Sequence, residues 1–171
     1  MTKTLRLFIL AAGAAVFGAA PSLAESVGPV SGLPLPRFVS LKADKVAIRR
    51  GPSKDHEIRW IYQRSGLPVE VIAEFENWRR IRDSDGADGW VYHSLLSGRR
   101  TGMVTPDAGS EFIPVRSDNA TESPVIARLE PGVIGRVRSC NQKRCEISVR
   151  GYTGWIDQVR LWGVYPNEKV N

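Results

Sequence analysis

Two stretches of this chain end alike: Gly89-Trp90-Val91 and, 65 positions later, Gly154-Trp155-Ile156. Each triplet closes a run of short apolar segments that follows a turn glycine, Gly66 in the first stretch and Gly132 in the second. Matching punctuation at so long a period predicts one small β fold used twice.

The segments support that prediction. Lys45–Arg49 reads as a strand, followed by a loop from Gly51 through His56 and a second strand over Ile58–Tyr62. After the Ser65-Gly66 turn, Leu67–Phe75 alternates, with Val69, Val71 and Ala73 on one side. Glu76-Asn77 forms a hairpin tip, Trp78–Arg82 returns, and Trp90–Tyr92 follows a second turn region. His93–Ser97 suits one short turn of helix. In the second copy Phe112–Arg116, Val125–Leu129, Val133–Cys140 and Cys145–Val149 stand in the same order, and Asp157–Leu161 answers His93–Ser97. No stretch sustains a helical period, so the fold class is all-β, one small unit used twice after a cleaved leader.

Residues 1–24 carry Lys3 and Arg6, then an apolar run over Leu7–Ala20, then Ser22-Leu23-Ala24. That order predicts a secretory signal peptide cut after Ala24. The apolar run is shorter than the ~20 residues a membrane span needs. No later run is long enough to span either, and the mature protein is expected to be periplasmic or secreted. Residues 25–37, rich in Pro and Gly, read as an extended leader rather than a packed element. The first barrel is expected over 38–104, a linker over 105–109, the second barrel over 110–166 and a tail over 167–171.

Loss of Lys3 and Arg6 lowers the formal charge from +6 to +4. A mild basic excess suits anionic partners such as cell-wall carboxylates. It is too weak to argue for nucleic acid, and export argues against it.

The ordered set Ile48-Arg49-Arg50-Gly51-Pro52-Ser53, Gly66-Leu67-Pro68-Val69, Trp78-Arg79-Arg80-Ile81 and Gly89-Trp90-Val91 resembles the bacterial SH3-like (SH3b) domain family. The resemblance covers residues 38–166. It implies two tandem SH3-like small β-barrels after the signal peptide, each five- to six-stranded, in exported cell-envelope proteins where the domain binds or targets rather than catalyses. The second copy departs from the pattern: Pro114 and Asp118-Asn119 replace the Gly-Pro-Ser opening, and Arg144 stands where Trp78 stands in the first.

Residues with chemical potential are few. Cys140 and Cys145 lie across a four-residue hairpin turn, Asn141–Arg144. On paired strands their Cβ atoms come within the ~3.5–4.5 Å that a disulfide needs. The corresponding positions in the first copy hold Glu74 and Arg79, a candidate cross-strand ion pair. The spacing is not C-x-x-C, and two thiols with no histidine beside them cannot fill a zinc site. His56 and His93, the two histidines, read as surface residues, and no serine sits in a G-x-S-x-G setting. Asp83–Asp88 begins like a calcium loop but lacks the closing glutamate, so it reads as a solvated turn. No catalytic set, metal site or cofactor is expected.

The remaining candidates are aromatic and cationic. Trp60, Tyr62, Trp78, Arg80 and Arg82 form the hypothesised ligand face. Alternation puts Trp78, Arg80 and Arg82 on the face opposite Ile81. With Ile81 inward, that stripe is either exposed and able to stack on and neutralise an anionic peptide, or formed by a packed Trp78 with arginines that only solubilise the barrel. Trp90 and Trp155 read as packing residues. The expected function is a non-enzymatic binding module for cell-wall peptide, peptidoglycan or an envelope protein segment. The alternative is an accessory subunit that binds one protein partner, and, third, a weak cell-wall hydrolase.

Overall fold

The computed structural model describes residues 26–106, 109 and 111–171; the expected signal peptide lies outside them. The strands are β1 (Ser26–Val27), β2 (Pro34–Leu35), β3 (Arg37–Leu41), β4 (Val46–Arg49), β5 (Ile58–Tyr62), β6 (Pro68–Phe75), β7 (Trp78–Arg82), β8 (Asp88–Tyr92), β9 (Leu96–Ser97), β10 (Thr101–Val104), β11 (Ile113–Arg116), β12 (Val125–Leu129), β13 (Ile134–Asn141), β14 (Arg144–Val149), β15 (Tyr152–Asp157), β16 (Leu161–Trp162) and β17 (Lys169–Val170). Single turns of 3-10 helix at His93–Leu95 and Gln158–Arg160 precede β9 and β16. Among the described residues no helix is long and apolar enough to cross a membrane.

The two sheets have one topology. Their orders are β5-β4-β8-β7-β6-β3-β9 and β12-β11-β15-β14-β13-β10-β16. The turn glycines do the same work in each: Gly66 N–H donates to the Leu41 carbonyl and Gly132 N–H to that of Val104, both at 2.8 Å. The arginine ending β4 or β11 ties down the loop beyond it. Arg49 donates to the His56 carbonyl and Arg116 to that of Ser123, each at 2.7 Å. Two separate cores result. Val46, Ile48, Val71, Ile81 and Val91 in the first are answered by Ile113, Val115, Val137, Ile147 and Ile156 in the second.

The Gly-Trp triplets mark where each sheet folds over itself. Gly89 and Gly154 sit where β8 crosses β4 and β15 crosses β11, joined by the pairs Arg49–Trp90 and Arg116–Trp155. A Cβ on Gly154 would lie 2.7 Å from the Arg116 carbonyl oxygen and 2.7 Å from Val115 Cγ1. One on Gly89 would meet Ile48 Cγ2 and stand 3.0 Å from the Arg49 carbonyl oxygen.

Two sequence expectations change. First, β10 pairs with β13 and β16, so residues 101–104 belong to the second barrel and the boundary falls at 98–100 rather than 105–109. It is the counterpart of β3, which pairs with β6 and β9. Second, the leader expected over 25–37 is held against the first barrel in its described part, residues 26–37. β1 and β2 pair as a hairpin, and Leu35 is buried in the first core.

The anchor for that hairpin is Glu74, whose side chain is fully buried. Its carboxylate accepts from Val30 N–H at 3.1 Å, Ser31 N–H at 2.9 Å, Ser31 Oγ at 2.6 Å and Arg37 Nη2 at 2.8 Å. Arg79 Nε pairs with it at 3.2 Å from across the hairpin. At the corresponding pair in the second barrel, Cys140 and Cys145 form a disulfide with Cα atoms 4.1 Å apart. There β17 covers the outer side, pairing Cys140 with Val170.

The barrels dock through β3 and β6 of the first and β10 and β16 of the second. Thr101 Oγ1 donates to the Gly66 carbonyl at 2.8 Å and Trp162 Nε1 to that of Pro68 at 3.1 Å. Phe38 packs edge-on to Trp162, with ring centroids 5.0 Å apart, and lies 4.6 Å from Tyr165. Gly163, at φ +115°, lets the chain pass close to Pro68 and Gly102.

Glu74 generates a pH prediction. Burial alone would raise its pKa, but the donors from Ser31, Arg37 and Val30 outweigh it and hold the carboxyl at about 2, below its ordinary 4.5. A depressed carboxylate contributes its full stabilisation above the unfolded pKa and loses it as pH falls through the folded one. Protection of the Val30 and Ser31 amides, relative to their intrinsic exchange rates, is therefore expected to hold down to pH 4.5 and to fall between there and pH 2. Glu74→Gln should expose these amides at every pH; slow exchange retained in that variant would remove Glu74 as the anchor.

Candidate functional site

The five candidate ligand residues fall into two groups that face apart. Trp60 and Tyr62 sit on β5 and pack inward against the first core. Their rings meet edge-on at 6.0 Å. Tyr62 OH donates to Asp83 Oδ2 at 2.5 Å, and burial first, then this bond, pushes the phenol well above its usual pKa. Arg59 lies over the Trp60 ring, 5.1 Å from its centroid, and donates to the Asp88 carbonyl at 2.7 Å. These rings plug the mouth of the first barrel.

Trp78 lies on the other side of its sheet. Ile81 does point inward, at 1 % exposure, so alternation sends Trp78 outward with Arg80 and Arg82. Trp78 is nonetheless buried at 8 %, with Tyr92 edge-on across the β7–β8 pair at 5.5 Å. The exposed Trp78-Arg80-Arg82 stripe therefore does not form, because its aromatic end is covered by its own cross-strand neighbour.

Both arginines of that stripe are committed within the molecule. Arg80 grips Asp88 through three hydrogen bonds of 2.9–3.0 Å. Arg82 donates to Glu70 Oε2 from Nε at 3.0 Å and from Nη2 at 2.5 Å. Glu70 is itself buried, and its other oxygen accepts from Tyr165 OH of the second barrel at 2.9 Å. Burial, then the bond to Glu70, raises the Tyr165 phenol pKa. Arg82 thus reinforces the junction between barrels. In the second barrel the Trp78–Tyr92 pair is replaced by Arg144 and Asp157, joined at 2.9 Å.

Asp83 Oδ1 accepts from the Asp85 and Ala87 amides at 3.0 and 2.9 Å, which builds the turn. Both cysteines are spent on one disulfide, and His56 and His93 are exposed. Among the described residues no group of three or more His, Cys, Asp or Glu side chains is placed to hold a metal.

The feature that sequence reasoning missed is in the second barrel. β4–β5 register sets Trp60 opposite Ile48 and Tyr62 opposite Val46; β11–β12 register sets Ala127 opposite Val115 and Leu129 opposite Ile113. The second barrel thus has a methyl and an isobutyl group where the first has an indole and a phenol. The mouth there stays open as a cavity of about 210 Å³, floored by Val115, Ala127, Leu129, Ile147 and Val149 and rimmed by Arg128, Arg150 and Tyr152. Arg128 and Arg150 are exposed, with no hydrogen bond or ion pair among the described residues. Aligning Ile58–Tyr62 with Val125–Leu129 contains the signal, since only the two inward positions lose their rings.

The bacterial SH3 domain family model matches this chain twice, at residues 42–98 and 109–163. No curated protein matches. Among solved structures, NlpC2 from Trichomonas vaginalis aligns over 74% of this chain and 48% of its own, at 13% identity and a TM-score of 0.34. NlpC1 from the same organism aligns over 83% of this chain and 50% of its own, again at 13% identity and a TM-score of 0.34. The chain spans about half the length of each.

A core role for Trp60 predicts its own mutant. Trp60→Ala should cost about 2–4 kcal/mol of unfolding free energy, below the ~3–5 kcal/mol of a fully buried ring because this one is half-buried. Urea denaturation measures it. An unchanged midpoint would mean that the ring is a surface platform after all.

Proposed function

The chain belongs to the bacterial SH3 domain family, and from that premise we propose that it is an exported, non-enzymatic binding module of the cell envelope, periplasmic or secreted, that recognises cell-wall peptide or an envelope protein segment. The observation that carries this reading is the open apolar mouth of the second barrel beside two unpaired cations. An apolar cleft with a few convergent polar groups is the usual form of a ligand site. The disulfide is compatible with an oxidising compartment outside the cytoplasm. On this reading the second barrel carries the ligand face and the first, plugged by Trp60 and Tyr62, supports it, whereas the sequence put the candidate face on the first.

A second reading has its own observation. β5 and β12 end their sheets, and they leave Ile58, Ile61, Val125 and Ile126 exposed. Such edges are templates for strand pairing with another protein, which suits an accessory subunit with one partner.

Co-sedimentation of the purified protein with peptidoglycan sacculi tests the first reading. Retention that falls when salt is raised is the expected result, given the cationic rim. Failure to sediment, with a single envelope protein co-purifying instead, would replace it with the second reading.

A further inference from the structure

We propose that the open mouth of the second barrel is a side-chain pocket for an extended peptide that ends in a large apolar residue with a free carboxylate. The inference rests on the binding-module reading and names the chemistry of its ligand. Four observations converge on it.

The cavity has the shape of an absent residue. In the first barrel the same place, between the end of β5 and the β7–β8 turn, is filled by the Trp60 and Tyr62 rings packed on the core. In the second barrel Ala127 and Leu129 leave about 210 Å³ lined almost wholly by apolar atoms. An aromatic or branched aliphatic side chain from outside would restore the packing that the first barrel supplies internally.

The rim selects charge. Of the residues lining the cavity, Arg128 and Arg150 are charged and none is acidic. In the first barrel the tyrosine at this mouth is answered by a carboxylate, Asp83. The corresponding position on β14 is Val149, and no carboxylate lines the cavity among the described residues. A guanidinium pair beside an apolar slot complements a carboxylate carried next to an apolar side chain.

The β14–β15 turn presents one of those arginines at a conformational cost. Val149 pairs with Tyr152, so the loop has two residues, Arg150 at φ +47° and Gly151 at φ +89°. Two-residue hairpins with both residues in the left-handed region favour Asn, Asp or Gly. Arginine in that position is held against backbone preference, and it stands at the cavity rim beside Tyr152, which is 69 % exposed.

The adjoining strand favours a peptide over a fatty acyl chain. β12 has a neighbour on one side only, leaving the other side of its backbone without a strand partner. An extended peptide can hydrogen-bond along that edge while its last side chain enters the slot.

The test is an NMR titration of the ¹⁵N-labelled protein with acetyl-Ala-Ala-Phe bearing a free carboxylate. Saturable shifts are expected at the amides of Ala127, Val149 and Tyr152. The C-terminal amide of the same peptide should bind about tenfold more weakly, and acetyl-Ala-Ala-Gly should not shift these resonances. Arg128→Gln combined with Arg150→Gln should bring the carboxylate form down to the level of the amide form. Ala127→Trp, which refills the slot as the first barrel does, should abolish the shifts. The two peptide controls are read on the unaltered protein, so the test survives if that variant fails to fold. Equal binding of the carboxylate and amide forms, no shift at these three amides at millimolar peptide, or shifts produced by decanoate but not by the peptide would each overturn the proposal. Sacculus retention without peptide shifts would overturn the pocket assignment alone; loss of both would overturn the binding-module reading with it.

Discussion

Each barrel depends on one close backbone crossing. At Gly89 and Gly154 the strand after the central hairpin passes so near β4 or β11 that no Cβ fits between them. That approach brings β4–β5 over β6–β8, and β11–β12 over β13–β15, converting a flat meander into an enclosure with an inside. The apolar residues at alternate positions can then share a core, and burial at roughly 25 cal/mol per Å² supplies the main driving force. The tryptophan after each glycine sits in the pairing that fixes the crossing, opposite Arg49 or Arg116.

With closure fixed twice in the same way, the two copies diverged at positions that closure leaves free. At the outer end of the central hairpin, one copy is joined by the Glu74–Arg79 ion pair and the other by a disulfide. The first solution leaves Glu74 with capacity to hold the Ser26–Leu35 hairpin; the second cannot, and β17 covers that corner instead. On the outer face, an aromatic pair in one copy is an ion pair in the other. At the mouth, two rings in one copy are two small aliphatic groups in the other. The last change opens an apolar cavity, and so it bears directly on what the molecule can hold.

The architecture was legible because it rests on local patterns. The period-two runs, the turn glycines and the Gly-Trp crossings give the strands and their order, and a five-residue cysteine separation across a hairpin gives the disulfide. What escaped depends on partners distant in sequence. Alternation places Trp78 on the outer face but does not reveal that Tyr92 covers it from the next strand. Arg80 and Arg82 look available until Asp88 and Glu70 are seen beside them. The proline- and glycine-rich leader looks unstructured because its anchor, Glu74, is more than forty residues away. The strand β10 looks like the end of the first copy because its pairing partners all follow it. The open mouth is written in Ala127 and Leu129, yet small residues advertise nothing until their counterparts are known to fill space.

The central claim is that one barrel mouth is filled by its own side chains and the other is open. Methyl-resolved NMR under xenon pressure tests it most directly, since xenon partitions into apolar cavities. Pressure-dependent shifts are expected for the methyl groups of Val115, Leu129, Ile147 and Val149, with those of Val46, Ile48 and Ile81 unmoved. Equal responses in both barrels, or none in the second, would contradict the account.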